Sequence, residues 1–270
     1  MSPQNIVLVH GLWLSPHSWQ PWIERYRAHG HTVHAPAWPG ISELNSPLDH
    51  ERAPAGLGVQ EIADHYESFV RTLPEQPIII GHSFGGLVTQ ILLDRGLGSA
   101  GVALHPAPAK GVLRLPLSTL RAAFPVLGNP ANRKRAVKLT DSQFRYAFAN
   151  TVSPEQAAAE NARLAVPGVG RPLFQAGFAN FTPARRAATR IDFGKSDRAP
   201  LLLVGGTSDH IVPAAVVRET HHRYRKSDAL TEYREYEGRD HGTAFHEGWQ
   251  KVADNALDWA LRARQIALSA

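Results

Sequence analysis

Short, fully apolar segments alternate with amphipathic segments through the first hundred residues of the chain. Ile6–Val9 and Pro77–Ile80 are apolar at every position, which indicates strands that are buried on both faces. Apolar side chains in residues 19–26 and 59–73 recur at intervals of three and four, which predicts amphipathic helices. This alternation predicts a parallel sheet covered by helices on both faces.

The pattern changes after the fourth predicted strand. Residues 106–190 contain no strand-like run, and helix starts recur there instead. Two of these starts match the capping-box pattern, Thr140 with Gln143 and Ser153 with Gln156. Because a structureless loop of this length is uncommon in a compact protein, we predict a helical insertion.

Strand and helix patterns resume in the last third of the chain. The six predicted strands are residues 6–9, 32–35, 77–80, 101–104, 201–204 and 231–236. The predicted fold is therefore α/β, a mostly parallel open sheet of about six strands flanked by helices, with a helical cap inserted after the fourth strand. We expect residues 1–105 and 191–270 to form the core domain and residues 106–190 to form the cap, or lid.

The composition excludes several kinds of chemistry. The 270 residues include no cysteine, which rules out a cysteine nucleophile, a disulfide framework and a cysteine zinc site. The formal net charge is +5, but the basic residues are scattered, and the densest group, residues 133–135, contains only three. We therefore expect a solvated surface and no nucleic-acid partner.

The hydropathy of the chain favours a cytoplasmic protein without a membrane partner. No apolar run reaches the roughly 20 residues that a membrane-spanning helix needs. The first residues show no basic segment followed by a long apolar one, so we expect no signal peptide. A homodimer is compatible with the sequence.

The most specific chemical motif is Gly81-His82-Ser83-Phe84-Gly85, which has the pattern G-x-S-x-G. It lies between a predicted strand and a predicted helix, and a nucleophile elbow needs this strand–turn–helix context. Glycines two residues on either side of the serine let the strand and the helix approach each other. The turn also places the serine at a helix N-terminus, which favours a developing negative charge. Ser83 is therefore the predicted nucleophile.

A serine nucleophile needs a base, and position selects one among the 14 histidines. His241 follows the last predicted strand, in a loop that can return over the sheet, and it is the predicted base. His246, at the start of the last helix, is the second choice. We expect His82, beside Ser83, to have a packing role and His10 to hydrogen-bond within its own loop.

The base in turn needs a carboxylate that orients its imidazole ring. Asp209 follows a predicted strand at the carboxyl edge of the sheet, where ligands gather in open α/β folds, and it is the predicted acid. Asp240 is the rival, although adjacent residues rarely face each other. The segment after the fourth strand, residues 105–110, contains no carboxylate, which favours Asp209.

An oxyanion hole completes the predicted site. One donor is expected to be the N–H of Phe84, the residue after the nucleophile. The other is expected from the loop after the first strand, where Gly11 lets the backbone turn and the N–H of Leu12 is the best-placed donor.

Together these motifs resemble those of the α/β-hydrolase superfamily along nearly the whole chain. The matching segments are Val9–Gly11 for the oxyanion loop, Gly81–Gly86 for the nucleophile elbow, Gly205–Pro213 for the acid loop and Gly238–Gly242 for the histidine loop. The order of nucleophile, acid and base along the chain is also that of the family. The resemblance implies that the first two of the usual eight strands are absent and that the cap shapes a substrate pocket.

The resemblance also narrows the chemistry. Haloalkane dehalogenases and epoxide hydrolases look similar but use an aspartate nucleophile, and Ser83 argues against both. Cofactor-free haloperoxidases and perhydrolases typically have proline in the oxyanion loop, and Leu12 makes that activity a weaker hypothesis.

The predicted function is a serine esterase that cleaves a carboxylic ester, thioester or lactone through an acyl-enzyme. The apolar cap favours a small or medium hydrophobic acyl group. Two alternatives stay open: carbon–carbon bond hydrolysis or a lyase reaction with the same three residues, and a non-catalytic small-molecule receptor.

No cofactor and no metal are expected. Gly96–Gly101 matches the dinucleotide pattern G-x-G-x-x-G, but it precedes a strand instead of opening a helix, so it is interpreted as a helix stop and a turn. His29, His31 and His34 cluster in sequence. Strand alternation places the last two on opposite faces, which argues against a metal site.

Overall fold

A computed structural model gives the structure of residues 3–41 and 56–269. In the first half, strands alternate with helices as the hydrophobic pattern predicts. The strands are β1 (Asn5–Val9), β2 (Thr32–His34), β3 (Ile78–His82) and β4 (Ala100–Leu104). The helices are α1 (Gln20–Ala28), α2 (Val59–Val70) and α3 (Phe84–Asp94).

Residues 106–190 are mainly helical. They form α4 (Leu117–Leu127), α5 (Asp141–Phe148), α6 (Pro154–Leu164) and α7 (Gly170–Gly177). They also contain two very short strands that pair antiparallel, β5 (Ala136–Val137) and β6 (Gly168–Val169). The sequence did not predict this pair, because two residues are too few to show a strand period. The division into a core and a separate cap domain stays a prediction.

The last third returns to the main sheet. It contains β7 (Leu201–Gly206), α8 (Ala214–Arg223), β8 (Thr231–Tyr236) and α9 (Trp249–Ser269). The six strands of the main sheet lie in the order β2-β1-β3-β4-β7-β8, and every neighbouring pair is parallel. The predicted parallel sheet of six strands is therefore confirmed for the described residues.

The central strands β1, β3, β4 and β7 are buried on both faces of the sheet, and their successive residues point to opposite sides. Ile6 and Leu8 of β1 pack with the apolar sides of α1 and α9. Val7 and Val9 of the same strand belong to a second cluster, which also contains Phe144 of α5 and other side chains of residues 106–190. The insertion and the sheet thus share one continuous hydrophobic core.

Three local predictions have clear outcomes. Both hydrogen bonds of the capping box between Thr140 and Gln143 are present. At α6 only one of the two is present, from the N–H of Gln156 to the Ser153 hydroxyl. The Gln156 side chain donates to Glu160 instead, which leaves the second box incomplete. Gly96 and Gly98 have φ angles of 76° and 88° in the turn between α3 and β4, so the glycine-rich segment is a helix stop, as predicted.

No helix in the described part of the chain is both long and apolar enough to span a membrane.

Candidate active site

Ser83 occupies a strained turn between β3 and α3. Its φ and ψ angles are 57° and −120°, which L-residues rarely adopt. A Cβ atom on Gly81 would lie 2.1 Å from the carbonyl oxygen of Gly85, and one on Gly85 would lie 2.0 Å from that of Val9. Both positions therefore require glycine, and the spacing of the motif follows from this close approach of strand, turn and helix.

His241 and Asp209 meet at the carboxyl edge of the sheet. His241 Nδ1 lies 2.6 Å from Asp209 Oδ2, and both side chains are fully buried. The other carboxylate oxygen, Oδ1, accepts the backbone N–H groups of Ile211 and Val212, each at 2.8 Å. Because the carboxylate can only accept, the proton of the neutral imidazole lies on Nδ1. The Nε2 atom of His241 is buried and has no hydrogen-bond partner among the described residues.

A second histidine shares the carboxylate. His105 follows β4 directly, and its Nδ1 also lies 2.6 Å from Asp209 Oδ2. His105 was not among the predicted site residues, because residues 105–110 were considered only as an alternative position for the acid. The available signal was its position: it comes directly after a strand, at the same sheet edge as Ser83 and Asp209.

The shared hydrogen bonds set the charge of the acid. Burial opposes ionisation of Asp209, but His241 and His105 outweigh burial and hold the pKa of this carboxyl well below its usual range. His82 is different, because burial and the two neighbouring histidines lower the pKa of its imidazole well below the usual value. His82 Nε2 donates to the carbonyl oxygen of His241 at 2.9 Å. This bond fixes the backbone of the histidine loop, a positioning role in addition to the predicted packing.

His105, Asp209 and His241 form the group of histidines and acids in the described residues that comes closest to a metal site. Zinc bonds of about 2.0–2.2 Å at a tetrahedral angle place two ligand atoms roughly 3.3 Å apart. The nitrogen–oxygen separations here are 2.6 Å, which is the spacing of short hydrogen bonds. The geometry is therefore that of a hydrogen-bonded carboxylate.

The loop after β1 lies against Ser83. A Cβ atom on Gly11 would come within 2.9 Å of the Ser83 Cβ, so only glycine allows this approach. The N–H of Leu12 donates no hydrogen bond within the described part of the chain. The N–H of Phe84 belongs to the first turn of α3 and has no acceptor inside the helix. Both predicted donors are thus available to a ligand.

His10 and Trp13 hold this loop in place. His10 Nε2 accepts the backbone N–H of Trp38 at 3.1 Å, and its Nδ1 lies 3.0 Å from the Gly11 carbonyl oxygen, in agreement with the predicted role. Trp13, with a φ angle of 63°, donates its indole N–H to the carbonyl oxygen of Val137 in β5. No role was predicted for Trp13, because its partner, Val137, is 124 residues away in the sequence.

His246, the second choice for the base, and Asp240, the rival acid, lie together in another cluster. His246 Nδ1 is 2.9 Å from Asp240 Oδ1, and His246 Nε2 is 2.8 Å from Glu160 of α6. Asp240 also accepts the N–H and the hydroxyl of Thr151. These ion pairs join the histidine loop to the helical insertion, and they leave neither residue in contact with Asp209.

An apolar cavity of about 420 Å³ opens above Ser83 and Phe84. Side chains of the inserted helices and of neighbouring loops line it, including Leu120, Ala123, Leu127, Leu173, Ile211 and Val212. On the insertion side, Phe148 of α5 packs edge-on against the His241 imidazole, with ring centres 5.0 Å apart. The cavity can therefore hold an apolar group next to the serine.

The fold is that of an alpha/beta hydrolase, with a helical insertion over the turn that carries Ser83. The sequence profile of the alpha/beta hydrolase family matches residues 6–255, and the chain belongs to this family. Membership supports a hydrolase activity. None of the curated proteins matches the chain significantly.

Three solved structures illustrate the similarity of fold. An extracellular α/β-hydrolase from a Paenibacillus species has a TM-score of 0.68 at 20% identity, over 96% of this chain and 99% of its own. The monoacylglycerol lipase of Paleococcus ferrophilus has a TM-score of 0.65 at 23% identity, over 97% and 96%. A methylesterase from Arabidopsis has a TM-score of 0.61 at 15% identity, over 94% and 98%. At these identities the similarity shows the fold alone.

Proposed function

We propose that the chain is a serine esterase that hydrolyses carboxylic esters, thioesters or lactones. One observation carries the proposal: Asp209 holds His241 through Nδ1, while Nε2 is left without a partner at the sheet edge that carries the strained Ser83. A base of this kind, oriented on one side and free on the other, is what a serine nucleophile needs.

The proposed reaction has two stages, acylation of Ser83 and hydrolysis of the acyl-enzyme. The Ser83 hydroxyl attacks the acyl carbonyl and gives its proton to His241 Nε2, and the N–H groups of Leu12 and Phe84 bind the oxyanion. The bond to the leaving alcohol or thiol then breaks, and His241 protonates the leaving group. Water, activated by His241, attacks the acyl-enzyme in the same way and releases the acid and free Ser83.

The cavity supports a hydrophobic acyl group as the substrate class. Its lining is largely apolar, and burial of an acyl chain there contributes about 0.8 kcal/mol per methylene group. The esterase and lipase activities named for the lipase of Paleococcus ferrophilus and the Arabidopsis methylesterase agree with this class. A cytoplasmic location stays a prediction from the sequence.

A fluorophosphonate probe tests the proposal directly. We expect intact-mass spectrometry to show one adduct on the wild-type protein and none on Ser83→Ala, because only an activated serine reacts at a useful rate. A panel of p-nitrophenyl esters graded by chain length then locates the preferred acyl group. Ser142→Ala, at an exposed serine, is the matched control and should label like the wild type.

Two results would contradict the proposal. Absence of an adduct in folded wild-type protein would mean that Ser83 is not activated, and a receptor function would then be favoured. A preference for highly charged esters over neutral apolar ones would contradict the substrate class.

A further inference from the structure

The electric charge of the chain is divided unequally between its two parts. Residues 106–190 contain 13 Lys and Arg but only three Asp and Glu, a net charge of +10. The rest of the chain contains 16 basic and 21 acidic residues, a net charge of −5. The overall value of +5 conceals this division. The helical insertion is therefore a strongly basic part of a protein that is otherwise acidic.

Most of this basic charge is free to meet a partner. Eleven of the thirteen basic residues of the insertion are exposed. Among the described residues, Arg171 alone of the thirteen forms an ion pair, with Glu61 of α2. Residues 133–135, which carry three of the charges, follow α4 closely, and Asn132 ties them to its last turn by donating to the carbonyl oxygens of Pro125 and Val126.

The same part of the molecule carries most of the exposed large apolar side chains. Nine are exposed among the described residues, and seven of them form what we call the apolar rim: Leu113, Leu115, Leu117, Leu120, Phe124, Phe178 and Phe181. Five of the seven line the cavity above Ser83. The others, Leu117 and Phe124, lie three residues before and four residues after Leu120 and so share its face of α4. An exposed patch of this kind marks an interaction surface.

Hydrogen bonds hold the backbone of the rim in position. Lys110 Nζ donates to the carbonyl oxygens of Ala179 and Thr182, at 2.9 and 2.7 Å. Asn180 Oδ1 accepts the backbone N–H of Gly111, and Asn180 Nδ2 donates to the carbonyl oxygen of Val112. Glu219 of α8 accepts the N–H groups of Leu113 and Arg114. These hydrogen bonds fix the backbone of the rim, while its apolar side chains stay exposed to solvent.

We infer that the apolar rim and the basic residues around it dock on an anionic lipid bilayer. An apolar patch that enters the acyl region, combined with basic residues that face anionic headgroups, is the pattern of a peripheral membrane surface. Arg114 lies between two rim leucines, and Arg185 and Arg186 follow Phe181 closely, so charge and apolar area lie side by side. The cavity mouth faces the bilayer in this arrangement.

This inference goes beyond the proposed esterase activity, and it departs from the sequence-based expectation of no membrane partner. That expectation concerned helices that cross a bilayer, whereas the rim lies on its surface. The density of basic residues along the sequence is low and does not reveal the charge division. The division shows only when the basic residues are grouped by the part of the fold that carries them.

Co-sedimentation with lipid vesicles tests the inference. The full chain with Ser83→Ala is used, so that lipid cleavage cannot affect the result and the outcome does not depend on the proposed activity. We expect binding to phosphatidylcholine vesicles that contain phosphatidylglycerol and at least about tenfold weaker binding to phosphatidylcholine alone. Added salt should weaken the binding to the anionic vesicles.

Two variants separate the apolar and the electrostatic contributions. The rim variant Leu117→Ser, Phe124→Ser, Phe181→Ser should lose at least about tenfold in affinity for anionic vesicles. Its matched control, Leu230→Ser with Ile266→Ser, removes exposed apolar side chains outside the insertion and should bind like the parent. The charge variant Arg133→Gln, Lys134→Gln, Arg135→Gln should also bind more weakly, while Arg225→Gln with Lys226→Gln should not. All the substituted residues are exposed, and circular dichroism checks their folding.

Three outcomes would overturn the inference. One is a lack of binding to either kind of vesicle. Another is unchanged binding of the rim variant. The third is a concentration-dependent dimer that the rim variant abolishes, with no vesicle binding, which would assign the rim to a second copy of the chain.

Discussion

Backbone strain in this molecule is concentrated at the candidate site. Among the described residues, three that are not glycine have a positive φ angle: Trp13, Ser83 and His105. Each lies at the carboxyl end of a strand or in the loop that follows it, and each contacts the site or forms part of it. Such conformations cost on the order of 1–3 kcal/mol each and persist where the surroundings enforce them. Their clustering supports a function at this edge of the sheet.

His105 is expected to act as a positioning residue for Asp209. Replacement by Leu removes one of two side-chain donors to the buried carboxylate, and we expect kcat to fall by about tenfold to a hundredfold, the equivalent of one hydrogen bond to a charged group.

The variant His105→Asn is the matched control. The Nδ2 atom of asparagine reaches the position of histidine Nδ1, and asparagine tolerates a positive φ angle. We expect it to recover most of the activity on a p-nitrophenyl ester. If His105→Leu kept the wild-type kcat, the second hydrogen bond would have no role in the reaction.

Among the elements, the histidine loop and α6 are joined by a buried ionic cluster. His246 lies between Asp240 of the loop and Glu160 of the helix. Burial opposes its charge, but the hydrogen bonds and charges of these two acids outweigh burial and raise the pKa of His246 to about 9. His246 is therefore positively charged at neutral pH. Its ion pairs hold the loop that carries His241 against the insertion.

This cluster predicts a loss of stability at alkaline pH. Because the pKa of His246 is higher in the folded state than its usual 6.5, its contribution is complete below that value and is lost as pH rises through about 9. The shift corresponds to about 3 kcal/mol of unfolding free energy. We expect the difference in Tm between the wild type and His246→Gln to shrink as pH rises through this window.

Calorimetry over the same pH range, with His222→Gln as control, checks the assignment. His222 is exposed on α8 and should leave the pH dependence of Tm unchanged. A difference between wild type and His246→Gln that stays constant up to pH values well above the raised pKa would contradict the proposed ion pairs.

The sequence predicted those elements and residues whose signals are local. The hydrophobic period predicted the buried strands, and the glycine spacing predicted the turn around Ser83. Asp209 and His241 were predicted because each lies shortly after the end of a strand. His105 and Trp13 did not show, because their roles depend on partners 104 and 124 residues away. The same holds for His246, whose contact with Glu160 spans 86 residues.

At the scale of the whole molecule, the insertion and the sheet are not separate packing units. The hydrophobic cluster on one face of the sheet continues from Val7 and Leu203 into Phe144, Phe148 and Leu164 of the inserted helices. Polar contacts cross the same boundary, from Trp13 to Val137 and from Thr151 to Asp240. Removal of the insertion would expose a large apolar area of the sheet layer.

We therefore expect the chain to unfold as one cooperative unit. All six tryptophans lie outside residues 106–190, and four of them, Trp19, Trp22, Trp249 and Trp259, belong to or pack against the cluster of α1 and α9. Their fluorescence therefore reports mainly on the sheet and its helices. Because the chain has no cysteine, Arg163→Cys at an exposed position of α6 can carry a fluorophore that reports on the insertion. The two signals should give the same denaturant midpoint.

A circular dichroism curve of the unlabelled protein controls for effects of the label. Separate midpoints for tryptophan and fluorophore, with the insertion melting first, would show instead that residues 106–190 unfold independently.

The opposite net charges of residues 106–190 and of the rest of the chain make the molecule an electric dipole with its positive end at the basic insertion. A dipole near a charged surface experiences a torque before any contact forms. At physiological ionic strength this torque acts within about 8 Å, the screening length of the solution. On approach to a negative surface the molecule would turn with its cavity mouth forward, so the docking orientation would be selected before the apolar rim touches the bilayer.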